Sequence, residues 1–229
     1  MGGSDWMRPK PTDGPVSRYL NRKVSTAITR ALLATGRPPD PDIVTLITTA
    51  VAFLAAYLVI AVGGLIAGVA IQLASIIDGV DGEIARATGR SSRAGAFLDS
   101  MMDRFADVAM ISAVGTRLLS LGCRPDVALY VLALALSGDL MVSYLHARGE
   151  MLAGTHPSLI GHVRQMASRD VRLLILAAGT AAGPWFPIAP LVGLVLVASL
   201  SYAYVVVKIA EVYAHLKNPR AGHSENKAA

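Results

Sequence analysis

Six carboxylate side chains occupy two neighbouring, otherwise apolar stretches of the chain: Asp78, Asp81 and Glu83, followed by Asp99, Asp103 and Asp107. Residues three or four apart share one face of a helix, so Asp78 would lie beside Asp81, and Asp99 beside Asp103. If the two faces oppose each other, these carboxylates repel strongly unless divalent cations neutralise them. The spacing therefore predicts a metal site shared by two helices.

Oxygen-only ligands indicate which metals such a site would hold. Carboxylates suit Mg²⁺, Mn²⁺ or Ca²⁺, whereas zinc sites generally include His or Cys. Neither His nor Cys lies among these acids, and Cys123 is the only cysteine of the chain. The alternative is that the acids form buried salt bridges with Arg86, Arg93 and Arg104. Because buried ion pairs seldom improve on apolar packing, we expect salt bridges to explain only part of the cluster.

The surrounding sequence is typical of an integral membrane protein. Of 229 residues, 53% are hydrophobic and 16% charged, and the mean hydropathy is +0.50. A spanning helix needs about 20 mainly apolar residues, and we predict an all-α bundle of six transmembrane helices: Ile43–Val62, Leu65–Arg86, Gly95–Leu119, Asp126–Leu145, Asp170–Ala182 and Pro190–Glu211. An ionisable residue at the membrane centre costs roughly 2.5–3.5 kcal/mol, so the acids are expected to be functional.

The charge distribution predicts how the bundle is oriented. All but three of the 21 Lys and Arg residues fall on one side, which the positive-inside rule assigns to the cytoplasm of a multi-pass cell-membrane protein. Both termini and the acid cluster would then be cytoplasmic. We divide the chain into an N-terminal segment (1–41), a membrane domain (42–212) and a disordered tail (213–229). Within the first segment, Val16–Leu33 has the pattern of an interfacial amphipathic helix, with a soluble helix or tether as the alternative.

The fixed residues around the acids follow the pattern D-x2-D-G-x2-A-R-x8-G-x3-D-x3-D: Asp78, Asp81, Gly82, Ala85, Arg86, Gly95, Asp99 and Asp103. This pattern resembles the signature of the CDP-alcohol phosphotransferases, and every position and gap is met. The resemblance implies transfer of a phosphoalcohol group from a CDP-alcohol to a hydroxyl acceptor, with release of CMP. It also implies two divalent cations, Mg²⁺ or alternatively Mn²⁺, that bridge the carboxylates and the diphosphate.

The resemblance assigns roles to individual residues. Asp78, Asp81 and Asp99 would be metal ligands, and Asp103 would be the general base that also contacts the second metal. The nucleotide would bind at Asp78, Gly79, Gly82, Ala85, Arg86 and Gly95. The glycines themselves permit either a ligand or a neighbouring helix to approach the backbone closely.

A group of cationic residues near the predicted cytoplasmic helix ends suggests a phosphorylated small-alcohol acceptor: His146, Arg148, Arg169, Arg172 and Lys208. The guanidinium fork suits phosphate, and we favour this role for Arg148 and Arg172. Anchoring to acidic membrane lipids is the alternative, and we favour it for the other three.

Two further stretches, residues 10–25 and 168–175, are similar to the branch of the family that contains di-myo-inositol phosphate phosphate synthases. That resemblance implies CDP-inositol as donor, inositol 1-phosphate as acceptor and di-myo-inositol phosphate phosphate as product. A phospholipid synthase that uses CDP-diacylglycerol or CDP-archaeol, such as a phosphatidylinositol phosphate synthase, is the alternative.

Other classes of membrane protein also place acids within the bilayer. A prenyltransferase is disfavoured by the spacing of Gly82, Ala85, Arg86 and Gly95. A cation transporter is disfavoured because the acids lie at one end of the bundle, and the outer half offers only Asp139. We expect membrane lipids as partners, no nucleic acid, and a homodimer formed through exposed small residues such as Gly193.

Overall fold

The polypeptide is helical along most of its length in the computed structural model, which describes residues 5–163 and 165–217. The longer helices are α1 (Arg22–Ala34), α2 (Pro41–Ala61), α3 (Gly64–Ile77), α4 (Val80–Thr88), α5 (Arg93–Ser120), α6 (Pro125–Ala153), α7 (Arg169–Ala182) and α8 (Ala189–Lys217). A π-helical turn (Ser17–Asn21) leads into α1. Within the described ranges there is no β-strand, which confirms the all-α fold class.

Local sequence signals set the helix ends. Asp40 caps α2 by accepting from the Asp42 backbone N–H at 2.9 Å, and Pro41 occupies the first helical turn, where its missing N–H costs nothing. Gly63 and Gly64 both have positive φ values, 68° and 60°, which glycine adopts without strain. This two-residue reversal makes α2 and α3 an antiparallel hairpin.

The predicted second helix is interrupted. It divides into α3 and α4 at a turn formed by Asp78 and Gly79, where the first aspartate of the signature lies. Within the described part of the chain, four segments are long and apolar enough to span a membrane: Pro41–Ala61, Gly64–Thr88, Pro125–Ala153 and Ala189–Lys217. The other two predicted spans are helical, but α5 carries several charges and α7 has only 14 residues. The six-span count therefore stays a prediction.

The core of the bundle is apolar and closely packed. Side chains from five helices meet in its centre: Val59, Ile71, Met110, Leu176 and Leu194. Small residues allow the backbones to approach, since a Cβ at Gly179 would lie 3.2 Å from the Gly193 Cα. Gly193 is buried against α7 of the same chain, so the expectation that it is exposed for dimerisation is wrong.

The N-terminal helix lies against the bundle on one face. Ile28 and Leu32 pack on the buried cluster of Val44, Val80 and Ile84, while Leu20 and Val24 are exposed. The helix exists where it was predicted; its interfacial position in a membrane stays a prediction. At the other end, α8 continues past the predicted boundary at residue 212 to Lys217. Residues 218–229 of the predicted disordered tail lie outside the described residues.

Candidate active site

Two adjoining cavities lie where the N-terminal segment meets α4 and the start of α5. All four aspartates of the signature line the larger cavity, of about 260 Å³. The smaller one, of about 150 Å³, is bounded by the starts of α2 and α5 together with α4. Five described residues line both cavities: Lys10, Asp81, Gly82, Arg86 and Asp99. The metal-site prediction and the nucleotide-site prediction therefore concern one continuous site.

The turn between α3 and α4 positions the first two aspartates. Asp78 lies in the turn, and Asp81 lies in the first turn of α4, where it is buried. The Thr45 hydroxyl donates to Asp81 Oδ2 at 2.5 Å, and the Gly82 N–H donates to Oδ1. These two bonds fix the orientation of the carboxylate, because each oxygen has its own donor.

The second pair of aspartates lies one helical turn apart near the start of α5. Ser92 caps this helix by accepting from the Gly95 N–H at 2.9 Å. Asp99 is half-buried, lines both cavities and makes no hydrogen bond with a described residue. Asp103 lines the larger cavity with Asp78, so the predicted opposition of the two helix faces is observed.

A guanidinium from α7 lies within the acid cluster. Arg169 Nη1 is 2.5 Å from Asp78 Oδ2 and 3.0 Å from Asp103 Oδ1, while its Nε donates to Asp107 Oδ1 at 2.7 Å. Asp107 lies outside the signature, and it is almost fully buried. Arg169 therefore neutralises part of the negative charge that the predicted metals would neutralise.

The ion-pair network continues behind the cavity. Arg104 lies 3.2 Å from Asp107 and 3.4 Å from Asp139, and Asp139 in turn lies 2.9 Å from Arg172. Of the three arginines named as alternative partners for the acids, Arg104 alone makes an ion pair among the described residues. Asp139 is buried within this network, where it is paired with two arginines.

The carboxylates fit a divalent cation in chemistry, although they are not arranged as a ready-made cage. Among the described residues, no three acidic, His or Cys side chains converge around one point. The guanidinium of Arg169 contacts both Asp78 and Asp103. The oxygen donors that Mg²⁺ and Mn²⁺ prefer all line one cavity, and Asp99 has no competing hydrogen bond. The chemistry of this donor set therefore fits a divalent cation.

The predicted nucleotide residues line the two cavities rather than a helix interface. Gly82, Ala85, Arg86 and Gly95 line the smaller cavity, and Asp78 and Gly79 line the larger. A Cβ added at Gly79 would meet no atom within 4 Å, and one at Gly82 would meet only Arg86 Nη1, at 3.2 Å. These two glycines therefore leave space for a ligand; tight packing against another helix does not explain them.

Several residues that line the two cavities were not predicted from the sequence. In the smaller cavity they include Asp42 and Thr45 from the start of α2, and in the larger one Asp13 and Arg22. The polar run of Thr45, Thr48 and Thr49 at the start of an apolar helix was a usable signal for the α2 residues. For Asp13 and Arg22, the similarity of residues 10–25 to one branch of the family was the available signal, but only the tertiary structure brings them to the cavity.

Of the five predicted acceptor residues, Arg169 alone lines a cavity of the site. The other four have different surroundings. His146 Nε2 lies 3.0 Å from the Tyr204 hydroxyl, Arg148 is exposed beside Met151, and Arg172 is buried on Asp139. Lys208 is fully buried, with Nζ bonded to the Ile160 carbonyl and 2.6 Å from Glu211. The structure does not bring these five side chains to one point.

Glu83 lies next to the site and joins α4 to α1. It is almost fully buried, and its carboxylate accepts from the hydroxyls of Ser25, Thr26 and Thr29 at 2.9, 3.2 and 2.8 Å. Arg22 lies 3.8 Å away. A buried carboxylate with several donors is well satisfied, so Glu83 holds the N-terminal helix beside the turn of Asp78 and Gly79.

Comparison with known proteins shows which family contains similar sequences. The profile of the CDP-alcohol phosphatidyltransferase family matches residues 40–216. A bifunctional IPC transferase and DIPP synthase of Rubrobacter xylanophilus is 43% identical over 175 residues, 75% of this chain and 37% of that protein. An archaetidylinositol phosphate synthase of Pyrococcus horikoshii is 32% identical over 177 residues, 77% of this chain and 85% of that one. The chain thus spans well under half the length of the bifunctional relative.

The fold is also similar to that of solved structures. The phosphatidylinositol phosphate synthase of Mycobacterium tuberculosis with CDP-DAG bound has a TM-score of 0.66 and 26% identity, over 83% of this chain and 94% of that one. The same protein in complex with manganese and citrate also has a TM-score of 0.66, at 27% identity, over 82% and 88% of the two chains. The resemblance drawn from the aspartate spacing is confirmed by the profile match. The chain belongs to the CDP-alcohol phosphatidyltransferase family.

Proposed function

We propose that this chain transfers a phosphoalcohol group from a CDP-alcohol to a hydroxyl acceptor and releases CMP. The observation that carries the proposal is the pair of joined cavities lined by all eight signature residues, with Asp81 and Asp99 at their boundary. Asp78, Asp81, Asp99 and Asp103 would hold two divalent cations, Mg²⁺ in the first instance. When bound, these cations neutralise the diphosphate and make its phosphorus more electrophilic.

The two cavities suggest how the substrates divide. The smaller cavity, beside Gly82, Ala85 and Gly95, would hold the nucleotide. The larger one would hold the acceptor, because hydroxyl and amide side chains that suit a polyol line its wall: Ser17, Asn21, Ser25, Ser75 and Ser168. Asp103 lies on the larger cavity, where its carboxylate would take the proton of the acceptor hydroxyl. The new bond joins that oxygen to the outer phosphorus of the diphosphate, and the bond from this phosphorus to the CMP oxygen breaks.

Our first choice of substrates is CDP-inositol with inositol 1-phosphate, giving di-myo-inositol phosphate phosphate. The similarity to bifunctional IPC transferase and DIPP synthases supports it. Arg169 is the residue for which the cavity supports the predicted acceptor-phosphate role. For His146, Arg172 and Lys208, the contacts described above favour structural roles instead, and Arg148 is exposed and lines neither cavity.

A lipid donor is the second candidate. The chain covers 85% of the archaetidylinositol phosphate synthase of Pyrococcus horikoshii, against 37% of the bifunctional relative, and a similar solved structure contains CDP-DAG. A matrix of donors and acceptors separates the two proposals. It pairs CDP-inositol, CDP-diacylglycerol and CDP-archaeol with inositol, inositol 1-phosphate, glycerol phosphate and serine. Purified protein that binds neither CMP nor any CDP-alcohol in the presence of Mg²⁺ would exclude both.

We also propose six membrane spans, cytoplasmic termini and a cytoplasmic active site. The excess of Lys and Arg on one side supports this orientation. Cys123 lies between α5 and α6 on the predicted outer side. A membrane-impermeant thiol reagent applied to intact cells should therefore label it. A cysteine introduced at Thr35 in a Cys123→Ser background should be labelled only after the cells are opened. The proposed homodimer is tested by the mass of the detergent-solubilised protein.

A further inference from the structure

The N-terminal segment 8–17, which we call the strap, is tied across the larger cavity from both sides. On the α7 side, the Ser17 N–H donates to Asp170 Oδ2, and the Gln165 side chain donates to the Pro11 carbonyl. On the α1 side, Arg22 Nη1 donates to Asp13 Oδ2 at 2.9 Å. The strap therefore forms a fixed wall of the cavity.

One cation of the strap faces the site without a partner. The Lys10 backbone N–H donates to Asp13 Oδ2 at 2.8 Å, which anchors the residue, but no described residue pairs with its ammonium group. The side chain lines both cavities together with Asp81 and Asp99. Lys10 also lies outside residues 40–216, the part that the family profile matches.

Buried polar atoms nearby indicate that the cavity is shaped for a polar ligand. Within the described part of the chain, Arg22 Nε and Ser168 Oγ are buried without a hydrogen-bond partner, and both residues line the larger cavity. A buried polar group left unpaired is costly, so native structures seldom retain one without a role. A ligand with oxygen acceptors would satisfy these groups.

We propose that Lys10 binds the phosphate that is transferred, at the boundary between the donor cavity and the acceptor cavity. This inference rests on the proposed function, in which that phosphate starts on the nucleotide and ends on the acceptor. Of the five residues that line both cavities, Lys10 and Arg86 are the cations. An ammonium group on a flexible stem offers three donors without fixed directions, so it can follow a phosphate that moves between two positions.

Two nucleotides that differ by this one phosphate test the inference. CDP carries the outer phosphate and CMP does not, so their affinities are measured by titration calorimetry on the full chain in detergent with Mg²⁺. Lys10→Gln should weaken CDP binding by about tenfold, the usual size of one lost charge-assisted hydrogen bond, and leave CMP binding unchanged. Lys10→Arg should restore most of the CDP affinity. The control is Lys23→Gln, which removes an exposed lysine of α1 that lines neither cavity.

The possible results are distinguishable. A loss confined to CDP supports the role of Lys10. Equal weakening of CDP and CMP, or no change in either, overturns that role while leaving the proposed function intact. If the unmodified protein binds neither CDP nor CMP, the proposed function and the inference are overturned together.

Discussion

Arg169 Nη1 lies 2.5 Å from Asp78 Oδ2, so a cation of α7 is paired with the first aspartate of the family signature. The same guanidinium reaches Asp103, and these two acids are assigned by the family pattern to metal binding and to catalysis. Arg169 and a metal ion would compete for the same carboxylate oxygens. The consequence is a site whose affinity for metal depends on where this one side chain lies.

Replacing Arg169 with Gln should therefore increase the affinity of the protein for Mn²⁺ by about tenfold, because a positive charge next to the ligands is lost. Electron paramagnetic resonance of free Mn²⁺ measures this without any turnover. The matched control is Arg93→Gln at the exposed start of α5. An unchanged or lower affinity in Arg169→Gln would show that the guanidinium does not compete with the metal.

For Asp103→Asn we predict retained nucleotide binding with turnover reduced by a factor of about 10² or more, as expected when a general base is removed. CMP binding and the rate of CMP release, measured on the same preparation, separate the two effects. A parallel loss of binding and turnover would contradict the role of Asp103 as base.

Glu83→Ala should destabilise the fold, because it leaves the hydroxyls of Ser25 and Thr29 without their buried acceptor. We expect a loss of about 2–3 kcal/mol in the free energy of unfolding, typical of a broken buried network. Unfolding in a detergent series measures it. Glu150→Ala, at an exposed glutamate of α6, is the control and should change little. Equal stability of the two variants would contradict the view that Glu83 holds α1 in place.

Lys208→Met is predicted to loosen the connection between α6 and α7 rather than to weaken acceptor binding. Lys208 and Glu211 together hold the backbone of this connection: Lys208 donates to the Ile160 carbonyl, and Glu211 accepts from the His162 N–H at 2.8 Å. Hydrogen exchange should therefore become faster in residues 160–163. A selective rise in the KM for a phosphorylated acceptor, with exchange unchanged, would instead favour the acceptor role predicted from the sequence.

The aspartates were predictable because their spacing alone places them on helix faces, and the family pattern fixes their neighbours. The turn at Asp78 and Gly79 was not, since both residues lie in an apolar stretch that reads as one continuous helix. Contacts between residues far apart in the chain could not be predicted from the sequence either. Asp78 and Arg169 are 91 positions apart, and Lys10 lies at the site only because the strap crosses the cavity. The surroundings of the cationic residues were hidden for the same reason, because only the tertiary structure brings Arg172 to the buried Asp139 and Lys208 to the Ile160 carbonyl.

The central claim is tested most directly by the release of CMP. Purified protein would be incubated with each CDP-alcohol and acceptor of the matrix, with Mg²⁺ or with a chelator, beside the Asp81→Asn and Asp99→Asn variants. We predict that at least one pair yields CMP and the phosphodiester product in equal amounts, only with the metal, and that both variants lose this activity. Absence of CMP from every pair, in folded protein that binds CMP in the presence of Mg²⁺, would contradict it.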